Sequence, residues 1–157
     1  MRKTRPVYRH EVHEDLIQEL GKIKDPQTEI SIFERLADAL IFSACLGFQL
    51  NKRVPLPEKG SKEDIQWHII EKEKDDALIN LMGIAETKSL GVLEDKSEVD
   101  CIKIFEEFAH GGLNKIDYWR KNNPGNDLLT SIIIGLEEEK IIRKEDQETT
   151  PIDFEDD

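Results

Sequence analysis

Apolar positions along the chain fall into helical rhythm for most of its length. Val12, Leu16, Ile17, Leu20 and Ile23 recur at three- and four-residue steps, predicting an amphipathic helix from Glu11. Asp25-Pro26 is expected to end it, because proline lacks the N–H and pushes its predecessor out of helical geometry. Thr28 or Ser31 is expected to cap a second helix that includes Ile32, Phe33, Leu36, Leu40, Phe42, Leu46 and Phe48. Ala39 to Phe48 carries no charge, which marks a helix buried on several sides. Ile65, Trp67 and Ile69 alternate with Gln66 and His68, the two-residue period of a short strand, with Arg53–Leu56 as its expected partner.

Leu78, Ile79, Leu81, Met82, Ile84 and Ala85 predict a further helix over Ala77–Glu86. Ser97 suits the cap of the next, whose inner face is Cys101, Ile102, Ile104, Phe105, Phe108 and Ala109. His110-Gly111-Gly112 is expected to interrupt it, since each glycine costs about 1 kcal/mol in a helix interior relative to alanine. Leu113, Ile116 and Trp119 resume the spacing, and Asn122-Asn-Pro-Gly125 closes the segment. Asn126 or Asp127 is expected to cap a last helix through Leu128, Ile132 and Leu136. The expected fold is therefore mainly α, a compact bundle of five to six helices with at most one short β-hairpin, around residues 53–70. It divides into a basic arm (1–10), one helical domain (11–142) and an acidic tail (143–157) expected to be disordered.

Charge changes this picture at both ends. The formal net charge is −12 over 157 residues, and residues 137–157 hold ten acidic against three basic side chains. Arg2, Lys3, Arg5 and Arg9 make the first ten residues positive. So negative a chain repels phosphate backbones overall, although a local basic patch can still steer binding. Cys45 and Cys101 lie in unrelated apolar contexts and read as small buried hydrophobes in a reducing compartment. With no long apolar run and no signal-type segment, a cytoplasmic location and no membrane partner are expected.

Candidate chemistry is sparse. His10 and His13 are three residues apart, not the His-Glu-x-x-His arrangement, and with Glu11 and Glu14 read as a solvated first turn. Lys59-Gly60-Ser61 lacks the glycine spacing of a phosphate loop. Glu86, Glu106 and Glu107 are the carboxylates that a Mg²⁺-dependent hydrolase would need to cluster. No catalytic set, metal or cofactor is expected. The loop cations Lys52, Arg53, Lys59 and Lys62 form one candidate partner-binding surface, and Tyr118, Trp119 and Arg120 beside the glycine pair form another. The alternative is nucleic-acid binding through Arg2, Lys3, Arg5 and Arg9 with Lys52 and Arg53. Reversing Lys52 and Arg53 to glutamate is expected to abolish partner capture with the fold intact.

Four strings in order carry a family resemblance. They are Phe42-Ser-Ala-Cys-Leu-Gly-Phe48 with Lys52-Arg-Val-Pro-Leu56; Gly60-Ser-Lys62 with Ile65-Gln-Trp67; Ile84-Ala-Glu-Thr87; and Phe105-Glu-Glu-Phe-Ala-His-Gly-Gly-Leu113. Together, from about residue 8 to residue 136, they resemble the DNA phosphorothioation-associated protein 4 family (Dnd system-associated protein 4). The resemblance implies a setting: an accessory, non-enzymatic subunit of a phosphorothioation-linked antiphage, restriction-modification-like system. It implies protein partners such as a defence ATPase or nuclease, with DNA contacted indirectly and a homo-oligomer allowed. It supplies no catalytic residues, and the long acidic tail is where this sequence departs from it.

Overall fold

The computed structural model describes residues 5–21, 30–94 and 98–143. Its elements run β1 (Val7–His10), α1 (Glu14–Gly21), α2 (Leu36–Gln49), β2 (Ser61–Ile65), α3 (Trp67–Lys72), α4 (Asp76–Thr87), α5 (Glu98–Asn122) and α6 (Leu128–Glu138). Two 3-10 turns, Glu11–His13 and Leu90–Leu93, complete the described path. The expectation of a mainly helical bundle with one small sheet holds.

Helix α5 organises everything else. Cys101, Phe105, Phe108, Gly112, Lys115 and Trp119 recur every three or four residues along one stripe. That stripe meets α4 at Gly83, α2 at Gly47 and Ser43, and α6 at Gly135 and Glu139. The opposite stripe, Glu106, His110 and Asn114, receives β1 and the first 3-10 turn. Covered on two sides, α5 buries the flanking Ile102, Ile104, Leu113 and Ile116 as well, and Glu106 on its polar stripe is buried with its carboxylate accepting the Tyr8 N–H.

The glycine pair does not interrupt this helix, contrary to expectation; α5 runs unbroken from Glu98 to Asn122. A Cβ on Gly112 would lie 1.7 Å from the Ser43 carbonyl oxygen, and one on Gly47 would lie 2.1 Å from the Phe108 carbonyl oxygen. The missing side chains let two helix backbones touch. The local cost of glycine is offset by the packing this close crossing allows, including the edge-on pair Phe48 and Phe108 with ring centroids 5.3 Å apart.

Two other expectations are corrected. Strand β2 pairs antiparallel with β1, in register Arg9↔Lys62 and His10↔Ser61, rather than with Arg53–Leu56. Trp67 and Ile69 belong to helix α3, where the Trp67 indole N–H donates to Glu71 Oε1 one turn on at 2.7 Å. Residues 7–10 of the basic arm are thus built into the domain. Helix α2 begins at Leu36, later than expected, because the chain before it is tied elsewhere. The Phe33 N–H donates to the Leu20 carbonyl at 2.8 Å, and the Ser31 hydroxyl to the Phe33 carbonyl at 2.6 Å.

Other expected boundaries hold. Asp127 caps α6 by accepting the Thr130 N–H at 2.7 Å, and α4 covers the expected span. Thr28, Asp25-Pro26, Ser97 and the tail from residue 144 lie outside the described residues.

Candidate interaction site on the long helix

The connection from α2 to β2 lies along α5, and its backbone is held at several points. The Lys52 N–H donates to the Gly47 carbonyl at 2.7 Å, and the Val54 N–H to the Glu107 carbonyl at 3.1 Å. Gly111 leaves room for the Lys52 carbonyl, which a Cβ would approach to 1.9 Å. Further on, the Glu11 N–H donates to the Gly60 carbonyl at 2.8 Å, and Gly60 adopts φ +90°, a left-handed angle that favours glycine. The strings Phe42–Phe48, Lys52–Leu56, Glu86 and Phe105–Leu113 therefore converge on one place.

Arginines fasten the surrounding elements to α5 and to one another. Arg53 reaches Glu86 on α4 and Glu107 on α5, each at 3.3 Å. Arg5 grips Glu106 with two parallel bonds of 2.8 and 2.5 Å, and the Tyr8 N–H donates to the same carboxylate at 2.6 Å. Arg9 bridges Glu14 at 2.9 Å and Asp64 at 3.3 Å. Glu106 and Glu107 are buried, so each needs its cation. A cleft of about 550 Å³ opens between these layers, lined by Arg5, Tyr8, Pro55, Leu56, Pro57 and Lys103 among others.

This geometry sorts the sequence candidates. Lys52 and Lys59 are exposed and make no ion pair with a described residue, whereas Lys62 meets Glu11 at 3.4 Å. Arg53 fastens the loop, so the expectation that its reversal spares the fold is withdrawn: a glutamate there would face Glu86 and Glu107. Arg53→Ala is expected to lower stability by about 1–2 kcal/mol in urea titration, chiefly by leaving buried Glu107 without its partner. An equal stability for the two proteins would show that the pair contributes nothing.

Trp119 is buried against Gly135 and is no surface residue, while Tyr118 is exposed. Arg120 is engaged by Glu19 at 3.0 Å and Asp117 at 2.6 Å. Of the nucleic-acid candidates, Arg2 and Lys3 lie outside the described residues, and Arg5 and Arg9 are neutralised within the domain. Glu86 and Glu107 share Arg53, while Glu106 lies on another face of α5 and is held by Arg5, so the three do not form one carboxylate cluster. Among the described residues no group of three His, Cys, Asp or Glu side chains is placed to hold a metal.

The sequence reading missed a histidine cluster. His10 accepts the Val12 N–H at Nδ1 (3.0 Å), so Nε2 carries the proton and donates to the Lys59 carbonyl at 3.0 Å. His13 Nε2 meets Asn114 Oδ1 at 2.8 Å. The His110 ring lies 4.9 Å from that of His13 and 5.9 Å from that of His10. Burial and the neighbouring histidines push His110 down to about 4, and burial also lowers His13. His13 is a buried residue of this cluster, not part of a solvated first turn. No sequence signal links it to His110, almost a hundred residues away.

A family model described as DNA sulphur modification system-associated protein 4 matches residues 7–155. The chain belongs to this family. Membership in the sulphur modification system-associated protein 4 family agrees with the resemblance read from the four strings. The match runs past residue 136, however, and takes in most of the acidic tail, which is therefore no departure from the family. No curated protein and no solved structure gives a match. No helix among the described residues is long and apolar enough to cross a membrane.

Proposed function

We propose that this protein is a non-enzymatic, cytoplasmic accessory subunit of its DNA sulphur modification system, serving antiphage restriction through protein–protein contacts. One observation carries the reading. The loop from Lys52 to Gly60 has a fixed backbone yet turns Lys52, Pro55, Pro57, Glu58 and Lys59 to solvent. A surface held rigid before binding loses little conformational freedom on association, which favours a specific protein partner. The arginines that a phosphate-binding site would use are instead spent inside the domain on Glu86, Glu106, Glu107 and Asp64, which weakens the DNA-binding alternative. The expected partner is an ATPase or nuclease subunit of the same system, presenting acids to Lys52 and Lys59.

A tagged full-length chain, purified from its host after nuclease treatment, is expected to retain that subunit, identified by mass spectrometry. Lys52→Glu combined with Lys59→Glu should lose it, since both side chains are exposed and unpaired among the described residues. Undiminished capture by the double variant would remove the loop as the contact. Recovery of nucleic acid alone from untreated lysate would replace the reading with direct DNA binding.

A further inference from the structure

Helices α2 and α4 leave an apolar groove of about 470 Å³ between them, lined by Cys45, Phe48, Leu78, Leu81, Met82 and Ala85. Leu81 is 60% and Phe48 40% exposed, so the groove is uncovered by any described residue. One end is basic, where α4 finishes beside the start of the loop. Lys52 follows α2 and Lys88 caps α4; both are exposed, and neither pairs with a described acid. The nearby acid Glu86 is taken by Arg53.

We propose that the groove is covered by this chain's own C-terminal segment, with Ile152 and Phe154 seated between α2 and α4. Residues 144–157 lie outside the described residues; they hold seven acids, one lysine and only two large apolar side chains, Ile152 and Phe154. Positions 152 and 154 share one side of an extended strand, which turns Asp153 away from the groove. Acids flanking the pair then face Lys52 and Lys88 at the basic end.

The segment can reach. The described chain stops at Arg143, shortly after Glu139, which is ion-paired to Lys115 on α5 at 2.7 Å. Phe48, at the groove, packs on Phe108 of the same stripe. Seven residues of α5 separate the two anchors, about 10 Å along its axis. Eleven residues from 144 to 154 span up to about 36 Å when extended. Tethering on so short a linker gives a local concentration on the order of millimolar, so a contact of only about millimolar intrinsic affinity would be populated. The family match ends at residue 155, just beyond this pair. The groove shares Lys52 with the candidate loop, but its apolar lining lies on α2 and α4, so the Ile152 and Phe154 variants leave the loop itself unaltered.

Cys45 makes the test direct, since its thiol lines the groove while Cys101 is buried. The full chain is treated with iodoacetamide, a neutral reagent that the tail's charge does not repel, and Cys45 alkylation is followed by mass spectrometry. The double variant Ile152→Ser with Phe154→Ser is expected to react about fivefold faster or more than the unaltered chain. Cys101 should stay unmodified in both, which verifies that the fold is intact. Equal Cys45 rates would overturn the proposal. Protection that disappears on about a hundredfold dilution would also overturn it, because a second copy would then be the occupant.

Discussion

Gly112→Ala is expected to destabilise the protein by about 3 kcal/mol or more, a severe effect for a substitution that normally favours helix. Position 112 is in the middle of α5, and helix propensity alone predicts a gain of about 1 kcal/mol from the change. The added methyl would fall 1.7 Å from the Ser43 carbonyl oxygen and 2.6 Å from its carbon. Backbone cannot rotate away as a side-chain tip can, so α2 and α5 must separate. Separation would loosen Leu40, Ala44, Phe105 and Phe108, all at or below 1% exposure and all in the same core. With a typical domain stability of about 5–15 kcal/mol, the loss is a large share of the total. Gly125→Ala is the matched control, since nothing lies within 4 Å of a Cβ there. Urea titration of both variants decides the matter, and a Gly112→Ala protein as stable as its parent would refute the close crossing.

The same crossing shows where sequence reading stops. Periodicity revealed the α5 surface up to Ala109 and from Leu113 onward, because apolar spacing is a local signal. It misjudged the junction because a glycine's local cost is visible in the sequence, whereas a helix crossing that requires glycine is not. Asp127 was legible as a cap for the converse reason: its partner, the Thr130 N–H, is three residues away. Strand β2 failed the same way as the glycines. Ser61–Ile65 reads Ser-Lys-Glu-Asp-Ile, with no alternation of apolar residues, and its partner β1 lies more than fifty residues upstream.

For the candidate site, residue types were legible but their engagements were not. Lys52 and Lys59 emerged as the exposed cations they were expected to be. Arg5, Arg9 and Arg53 looked equally available, yet each closes on carboxylates contributed by distant segments. An arginine's planar fork suits such partly buried pairing better than a lysine's flexible ammonium. Most of the fastening cations around the candidate loop are therefore arginines, and the test of partner binding moves from Arg53 to Lys59.

Acid should weaken this protein through its histidine cluster before its carboxylates are exhausted. His110 is held near 4 in the folded chain, against about 6.5 when unfolded. Below pH 6.5 the unfolded chain therefore binds a proton that the folded chain refuses. Stability is whole above that pH and declines as pH falls from about 6.5 toward 4, by at most about 3 kcal/mol from His110. The depressed His13 acts in the same direction. The groups around the pair are His10, Arg9, Asn114 and Asp117; the Asn114 hydrogen bond and the Asp117 charge favour the His13 imidazolium, but burial outweighs them, and nothing opposes the depression of His110. Two background effects act at the same time. Protonating surface carboxylates relieves a net charge of −12 and raises stability, whereas the Asp117 carboxyl, held low by Lys121 and Arg120, weakens the fold only at still lower pH. The comparison that isolates the cluster is therefore between the native chain and His110→Asn, which keeps a polar side chain but cannot titrate. Chemical denaturation between pH 7 and pH 4.5 should show the native chain losing stability relative to the variant as pH falls. Parallel profiles would mean that the histidines accept protons without disturbing the seat of β1 on α5.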